Sequence, residues 1–301
     1  FHGPQPGFWL GTPSGARSTD SLLSLMQPEE RQTLTTMTAD LGLALFRVPA
    51  AELSKAGGGL FGSSAGARKK LEFVDSSRRE VHDTLLRDHF IEARNDGAGL
   101  IAVPLSFNQR APSAAGVEAG ATAKAKRFTF CCFSARDVPV RSLSLAPELV
   151  REALVAHIKR HGSVGSQSHG IQLWKLAEAG LMVYVENPSV AFVEVSVELT
   201  ELFNTTVSRG VEMDATGQLM MKTRDMVPPM HGMVIFVAAA MPAGHTYCFS
   251  SRFIPRLDPP SSGPSHTPPL AEPADALHTP VYLEGVQPSP LPGAPGRRGW
   301  R

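Results

Sequence analysis

The chain has 301 residues and a formal net charge of +1, and 42% of its residues are hydrophobic. This balance excludes a chain-wide basic field for nucleic acid, and it supplies apolar material for one or two domain-sized cores. The longest apolar run, residues 233–241, is shorter than the roughly 20 residues of a membrane-spanning helix. The three cysteines are too few for a disulfide framework, so we expect an intracellular protein without a signal peptide.

The first half of the chain has the pattern of a β domain. Residues 1–30 are rich in Gly, Pro and Ser, and we predict that they form an extended lead-in. Within residues 31–145, apolar residues recur at alternate positions in several short runs, which predicts a first β-sandwich-like unit. The Gly-rich stretch 57–64 lacks the Gly-Lys-Ser/Thr of a phosphate-binding loop, and the Ala/Gly-rich stretch 111–126 has the composition of an insertion at a hairpin tip.

One amphipathic helix is predicted within residues 146–162 and connects this unit to a second one. Pro147 suits the first helical turn, the basic residues 159–161 suit the last turn, and Gly162 suits the end. The predicted apolar stripe of the helix consists of Leu149, Val150, Ala153, Leu154 and Ile158.

The second half repeats the β pattern. Six or seven short strands at regular spacing in residues 163–255 predict a second antiparallel sandwich-like unit. The predicted fold class is therefore mainly β, with two antiparallel β-sandwich-like units of the C2-like kind joined by one helix. About one residue in four is proline from Pro255 onward, so residues 256–301 are predicted to be a disordered tail.

The tail contains one pattern that matches a known ligand. Pro292, Pro295 and Arg297 fit the PxxP-x-basic form that SH3 domains bind as a polyproline helix. Proline-rich tails also produce this pattern by chance. An SH3-type partner therefore stays a secondary hypothesis.

Few residues are candidates for catalysis or metal binding. Cys131, Cys132 and Cys248 lie within apolar strand patterns, which favours buried structural thiols over an activated nucleophile. His157 and His161 share one face of the helix, but no third ligand follows at a matching spacing, and His161 also suits a helix C-terminus. We therefore predict no catalytic residue and no metal ligand.

Three carboxylates are candidates for a calcium loop in the second unit. Glu212, Asp214 and Asp225 carry the oxygen ligands that Ca²⁺ requires, but they are scattered and do not follow an Asp-x-Asp pattern. We therefore expect no cofactor in this segment. The triplet at residues 204–206 is a formal N-glycosylation acceptor, and a turn at Asn204 is the favoured interpretation.

The stretch from residue 193 to residue 210 is either scaffold or site. Apolar and polar residues alternate strictly over 193–199, whereas the Asn and the Ser-Arg-Gly that follow are not required by a strand. Six residues are predicted to lie close together at one end of the second unit: Asn204, Ser208, Arg209, Pro228, Pro229 and His231. They form either an interaction surface or a set of turns that end the sheets.

An ordered set of short motifs resembles the C-terminal region of calpains of the small-optic-lobes subfamily. The motifs are GLMVYVENPS, FN followed by TVSRG, MVPPMHGMVIFV and HTYCFSSRFI. The resemblance is clearest from Gly170 to about Leu270, and the segment SGPSHTPPL resembles the Ser/Pro-rich end of those proteins. It continues more faintly from Leu41 to Leu154, where SSRREVHDTLLRDHFIEARNDGAGLIAVPLSFN carries it.

This resemblance implies an intracellular cysteine endopeptidase as the parent protein. Such proteins have catalytic Cys, His and Asn in a papain-like core, many have zinc fingers upstream, and Ca²⁺ is a candidate cofactor of the parent family. The motifs of that core do not occur in this sequence, and Asn187-Pro188 lacks the Trp that would follow, so no catalytic residue is transferred. Because the sequence begins with Phe1, we expect a fragment or a processed product of a longer protein.

The expected function is therefore that of a noncatalytic regulatory or protein-interaction region of a calpain-type protease. Its expected partners are proteins or protein substrates, and not nucleic acid. The alternative is a stand-alone C2-like module that binds a lipid surface or Ca²⁺, which liposome pelleting with and without Ca²⁺ would distinguish. An enzyme within these residues would require a thiol that reacts with an active-site probe.

Overall fold

The structure, a computed structural model, describes residues 5–13, 17–27, 40–49, 71–80, 83–92, 98–107, 128–165, 170–240, 246–257 and 276–288. These residues form strands and one α-helix, α1 (Pro147–His161). The strands, in chain order, are β1 (Gln5–Leu10), β2 (Thr19–Met26), β3 (Leu41–Val48), β4 (Glu72–Ser76), β5 (Asp83–Ile91), β6 (Gly99–Ser106), β7 (Thr129–Ser134), β8 (Val140–Leu145), β9 (Ser163–Val164), β10 (Gln172–Leu176), β11 (Gly180–Asn187), β12 (Val193–Phe203), β13 (Thr205–Val207), β14 (Val211–Met213), β15 (Leu219–Val227), β16 (His231–Ala240), β17 (Cys248–Leu257) and β18 (Val281–Tyr282).

The first eight strands form a sandwich of two antiparallel sheets. Sheet I has the order β4-β3-β6-β1-β8, and sheet II has the order β5-β2-β7. Alternate side chains of both sheets fill the space between them because successive residues of a strand point to opposite faces. The buried members of this core are Leu10, Leu23, Leu43, Leu45, Leu86, Ile91, Leu100 and Ala102.

The remaining strands form a second sandwich. Sheet III has the order β13-β16-β11-β10-β9, with β18 also paired to β16, and sheet IV has the order β14-β15-β12-β17. The apolar residues of the alternating run in β12 point inward, and each is at most 2% exposed: Val193, Val195, Val197 and Leu199. The predicted fold class, mainly β with antiparallel sheets and one helix, is confirmed.

The described part of the predicted lead-in, residues 5–13 and 17–27, contains two paired strands. β1 lies between β6 and β8 in sheet I, and β2 is the central strand of sheet II. Leu23 and Leu25 of β2 are fully buried. Gly7 of β1 is tightly packed, because an added Cβ would come within 2.5 Å of Leu145. Tertiary pairing therefore decides the structure here, although the Gly and Pro content of the segment suggested a loop.

The helix α1 lies between the two sandwiches and contacts the outer faces of sheets I and III. Its predicted apolar stripe is buried, and Ala153, Leu154 and Ile158 are fully buried. Side chains from three sources form this shared core: α1, the outward positions of sheet I such as Ile101 and Val103, and those of sheet III such as Met182 and Val234. Both sheets are consequently covered on two faces, which explains why β3, β11 and β16 are almost continuously apolar.

The ends of α1 match the sequence pattern. Pro147 occupies the first turn, and the amide of Gly162 donates to the carbonyl oxygen of Ile158 at 2.8 Å. A side chain at Gly162 would collide with backbone, because its Cβ would lie 2.5 Å from Ile158 O and 2.7 Å from Lys175 O. Among the described residues, no helix is long and apolar enough to span a membrane.

A buried guanidinium links the two sandwiches beside this helix. The side chain of Arg79 is 1% exposed and forms an ion pair with Asp40. It also donates to the carbonyl oxygens of Glu178 and Ala179, in the turn between β10 and β11 of the second sandwich, and it lies 4.5 Å from the centroid of the Phe107 ring. Burial raises the pKa of the Asp40 carboxyl, and the charge of Arg79 opposes this rise. One side chain therefore connects both units.

Part of the predicted tail is described by the structure. Residues 276–288, here called the strap, return to sheet III, where Leu277 is 2% exposed and belongs to the shared core. Val281 pairs with Gly232 and Tyr282 pairs with His231. The proposed SH3 ligand at residues 292–297 lies outside the described residues, as do the insertions at 57–64 and 111–126.

The shared core predicts that one helix side chain stabilises both sandwiches. Replacing the fully buried Leu154 by Ala removes contacts with sheets I and III together, and we expect a loss of about 2–5 kcal/mol in the free energy of unfolding. Hydrogen exchange, followed by mass spectrometry, should accelerate in β6 and β11 by a similar factor. The matched control is Glu152→Gln on the exposed face of α1. Acceleration confined to one sandwich would contradict the prediction.

Candidate functional site

The six predicted site residues do not form one cluster. Thr205, next to Asn204, pairs with Ala240 at the end of β16, whereas His231 begins that strand. Nine residue steps along a strand separate these two positions by about 30 Å. Asn204 therefore lies at one end of the second sandwich, and Pro228, Pro229 and His231 lie at the other. The expectation that all six lie close together is wrong for this reason.

Asn204 makes the turn between β12 and β13. Its backbone has a φ of +46°, a left-handed conformation that Asn adopts more readily than most residues. Its Nδ2 donates to the carbonyl oxygen of Thr246 at 3.0 Å. The residues that follow, Thr205–Val207, are a strand paired with β16 in sheet III, so the chain has crossed from sheet IV to sheet III at this point.

Arg209 connects the two sheets of the second sandwich through its side chain. Its Nε donates to the carbonyl oxygen of Ile235 in β16 at 2.8 Å, and its Nη2 donates to Oδ2 of Asp225 in β15 at 2.6 Å. Ser208 binds the same strand, β16: its Oγ accepts a hydrogen bond from the amide of Val237 at 2.9 Å. These contacts satisfy backbone groups at the middle of the β16 edge, which would otherwise be open to pairing with another chain.

The ion pair of Arg209 is buried. The exposed fraction of the side chain is 17% for Arg209 and 5% for Asp225. Burial raises the pKa of Asp225, and the adjacent guanidinium of Arg209 opposes this rise. Gly210 then returns the chain to sheet IV with a φ of +71°, and its Cβ would lie 2.6 Å from Lys222 O. The Ser-Arg-Gly sequence thus has a structural role in joining the sheets.

The opposite end of the sandwich is organised by a fully buried asparagine. The Nδ2 of Asn187 lies 2.8 Å from Ala191 O, 3.0 Å from Val227 O and 3.0 Å from Pro228 O. Its Oδ1 accepts hydrogen bonds from the amide and the Oγ of Ser189, at 3.1 and 2.7 Å. One amide side chain therefore holds the 188–192 loop against the end of β15.

The turn between β15 and β16 completes this end. Pro228 and Pro229 are followed by Met230, whose φ of +58° lies in the left-handed region that most residues avoid. The amide of Met230 donates to Ser189 O at 3.3 Å, and its carbonyl oxygen accepts a hydrogen bond from the amide of Leu283 in the strap at 2.8 Å. These hydrogen bonds thus join the 188–192 loop, the turn between β15 and β16, and the strap.

His231 belongs to the same end. Its Nδ1 donates to the carbonyl oxygen of Pro229 at 2.6 Å. Its ring packs edge-to-face on Tyr282, with 5.6 Å between the ring centroids. We call the combined surface of residues 187–192, 228–231 and 281–286 the Asn187 end.

The Asn187 end presents apolar side chains to solvent. The exposed fraction is 59% for Val190, 47% for Phe192 and 58% for Tyr282, and it is 37% for Val281 and 41% for Val286. Side chains of this kind on loops held by buried hydrogen bonds are typical of protein-interaction surfaces. The sequence alone does not indicate this role of Asn187, because its contacts with Val227 O and Pro228 O depend on tertiary packing.

The cysteines differ from each other in environment. Cys131 and Cys132 are partly buried, whereas Cys248 is exposed. The expectation of a buried structural thiol is therefore wrong for Cys248, which lies near the end of β12 where its Sγ donates to Glu201 O at 3.7 Å. Burial raises the pKa of Cys132 and disfavours its thiolate, which is the nucleophilic form.

The two helix histidines lie with their ring centroids 4.8 Å apart. His157 is fully buried and packs on Phe107 at 5.3 Å, and neither of its ring nitrogens has a hydrogen-bond partner among the described residues. Burial, with the charges of His161 and Arg79, lowers the pKa of His157 to about 3. The Nε2 of His161 lies 3.0 Å from Ser76 Oγ. In the part of the chain that the structure describes, no group of three His, Cys, Asp or Glu residues is arranged to hold a metal ion.

The three carboxylates considered for calcium lie in different environments. Oδ1 of Asp214 accepts hydrogen bonds from Thr216 N, Thr216 Oγ1 and Gln218 N within its own turn, and the Thr216 side chain is the main cause of a lowered pKa. Asp225 binds Arg209, and Glu212 lies in the exposed strand β14. Two of these carboxylates thus have structural partners.

Comparison with known families supports a relationship for part of the chain. A family model described as "Calpain-D-like, C-terminal domain" matches residues 157–260, which include the end of α1 and strands β9 to β17. No solved structure matches the chain. This region is therefore similar to a calpain C-terminal domain, in agreement with the resemblance to calpains in the sequence.

Because Arg209 is buried, we predict that its replacement strongly lowers the free energy of unfolding. Arg209→Met leaves the buried Asp225 carboxylate without its cation and the Ile235 carbonyl without its donor, and we expect a loss of about 3–5 kcal/mol in unfolding free energy. Arg224→Met is the matched control, since Arg224 also contacts a carboxylate, Glu194, at 2.6 Å but is 72% exposed. We expect that control to have a much smaller effect in urea unfolding, because solvent screens an exposed ion pair. Equal losses would contradict the prediction.

We predict that His157 makes the free energy of unfolding depend on pH. Because its pKa is about 3 in the folded chain and about 6.5 in the unfolded chain, the unfolded state binds more protons as the pH falls from 6.5 towards 3. Its contribution to stability is complete above pH 6.5 and is lost below it. Between pH 7.5 and pH 5, we expect His157→Leu to lose about 2 kcal/mol less unfolding free energy than the parent chain. Parallel pH profiles in urea unfolding would contradict this assignment.

Proposed function

We propose that this chain is a noncatalytic, regulatory C-terminal region of a small-optic-lobes-type calpain, an intracellular cysteine endopeptidase. In this proposal the chain binds protein partners or protein substrates at the Asn187 end. The family match over residues 157–260 and the ordered motifs of the second sandwich support the calpain relationship. In this proposal the chain acts through its binding surface, and a papain-like core outside this sequence cleaves the peptide bond.

One observation carries the choice of surface: exposed apolar side chains stand on loops that buried hydrogen bonds fix in place. Val190 and Phe192 flank the turn held by Asn187, and Tyr282 packs on His231 at the neighbouring strand end. The left-handed backbone of Met230 lies between them. Conformations of this kind cost on the order of 1–3 kcal/mol and often occur at recognition sites, which supports the proposal.

The size of the surface indicates a weak, transient partner. Complete burial of one such side chain is worth about 1.5–3 kcal/mol, and these side chains are only about half exposed. Three of them together therefore contribute on the order of 3 kcal/mol before the cost of association is subtracted. A surface of this strength suits the positioning of a substrate, which must be released after cleavage.

A protease assay with two substrates tests this proposal. In the longer protein that contains this chain and its core, we expect the double variant Phe192→Ser, Tyr282→Ser to lower kcat/KM for casein about tenfold, which corresponds to about 1.4 kcal/mol of binding. Hydrolysis of a short fluorogenic peptide should not change, because such a peptide contacts only the core.

The matched control is Phe203→Ser, since Phe203 is 55% exposed at the opposite end of the sandwich. An equal fall for casein and peptide, or no fall for casein, would contradict the role of the Asn187 end. A coding sequence upstream of residue 1 without a papain-like core would contradict the calpain assignment itself. Pelleting of the chain with anionic liposomes only in the presence of Ca²⁺ would favour the C2-like alternative.

A further inference from the structure

The strap is attached to the second sandwich at several points along its length. Nη1 of Arg151 in α1 donates to the carbonyl oxygen of Ala276 at 2.7 Å. Leu277 inserts into the shared core, and His278 is 7% exposed, with its Nδ1 donating to Val234 O at 2.8 Å. The strap therefore contacts both the helix and sheet III.

The next residues of the strap add a short strand to β16. Tyr282 pairs with His231 and Val281 with Gly232, and the amide of Leu283 donates to Met230 O at 2.8 Å. This combination of backbone pairing with one buried apolar anchor is the way in which sheet edges bind extended peptides. The strap thus contacts Arg151 of α1 and residues 231–234 of β16.

The sequence before the strap separates it from the rest of the second sandwich. Residues 258–275 number 18 and include six prolines, a composition with little apolar surface to bury. The preceding strand β17 ends at Leu257, which pairs with Val193, and Val193 pairs with Val227 beside the Asn187 end. The chain therefore leaves and returns on the same side of the sandwich, which a linker of up to about 55 Å spans easily.

We infer that the surface formed by β16 and α1 is a peptide-binding site, and that the strap is the ligand that occupies it within the same chain. The recognised chemistry is a turn that carries a buried Leu-His pair, followed after two residues by a short strand of a β-branched and an aromatic residue. Because the strap and the surface belong to one chain, the strap competes intramolecularly with any added peptide. The strap therefore excludes peptides of the same chemistry until it is released. The strap supplies Val281, Tyr282 and Val286 to the Asn187 end, but the inference does not require that end to bind partners, because its test measures peptide binding and not proteolysis.

Competition with a synthetic peptide tests the inference. The probe is a fluorescein-labelled peptide of residues 276–288, and its binding is followed by anisotropy. The first receptor is the full chain with a unique protease site inserted between Pro264 and Ser265. Its binding of the probe is measured before cleavage, and again after cleavage and removal of the strap. We expect the cleaved chain to bind the probe at least tenfold more tightly than the uncleaved chain does. The same peptide with Leu277→Asp should not bind.

A second receptor avoids cleavage. In the intact chain, Leu277→Asp weakens docking of the strap but leaves the receiving surface unaltered, so the probe should bind to this variant without proteolysis. Equal binding by the cleaved and uncleaved chains would overturn the inference. Loss of the β circular dichroism signal when the strap leaves would overturn it as well, because the strap would then be part of the folded core. Failure of the probe to bind either receptor would also overturn the inference.

Discussion

Burial of one amphipathic helix between two sheets is the constraint on which the rest of this structure depends. Helix α1 covers the outer faces of sheets I and III, so each of these sheets is packed on both sides. Without the helix, the apolar outer face of each sandwich would be open to water at a cost of about 25 cal/mol per Å². The two units therefore share a core in addition to the core inside each sandwich, and Arg79 adds a polar connection between them.

Buried polar side chains determine how the loops of the second sandwich are placed. Asn187 holds one end, and Arg209 joins sheet III to sheet IV near the middle of β16. Such groups contribute only if all their hydrogen bonds form, which makes the positions of the attached loops specific. The exposed apolar residues of the Asn187 end therefore stand on loops whose backbone is fixed from within.

The sequence predicted the elements whose pattern is local. The helix followed from the spacing of residues such as Leu154 and from Pro147 and Gly162, and β12 followed from strict alternation. The strand β1 could not be predicted, because residues 1–30 as a whole are rich in Gly, Pro and Ser and the pairing of β1 with β6 and β8 is remote in sequence.

The candidate site shows the same limit. The sequence does not show at which end of the sheet each turn lies, so Asn204 and His231 are predicted to be close. The pairing of β13 with the end of β16 places them at opposite ends of the sandwich. Asn187 carries little local signal, since it ends a continuously buried strand. Leu277 lies in a proline-rich context, and only its contact with the shared core distinguishes it from its neighbours.

The position of β1 has a consequence for any polypeptide joined ahead of residue 1. Gln5 pairs with Leu145, two residues before the start of α1, and β1 is hydrogen-bonded on both of its edges. Four residues span at most about 14 Å, so a preceding domain would be tethered close to the N-terminal end of the helix. Tension on that tether would act first on the hydrogen bonds that β1 makes with β6 and β8.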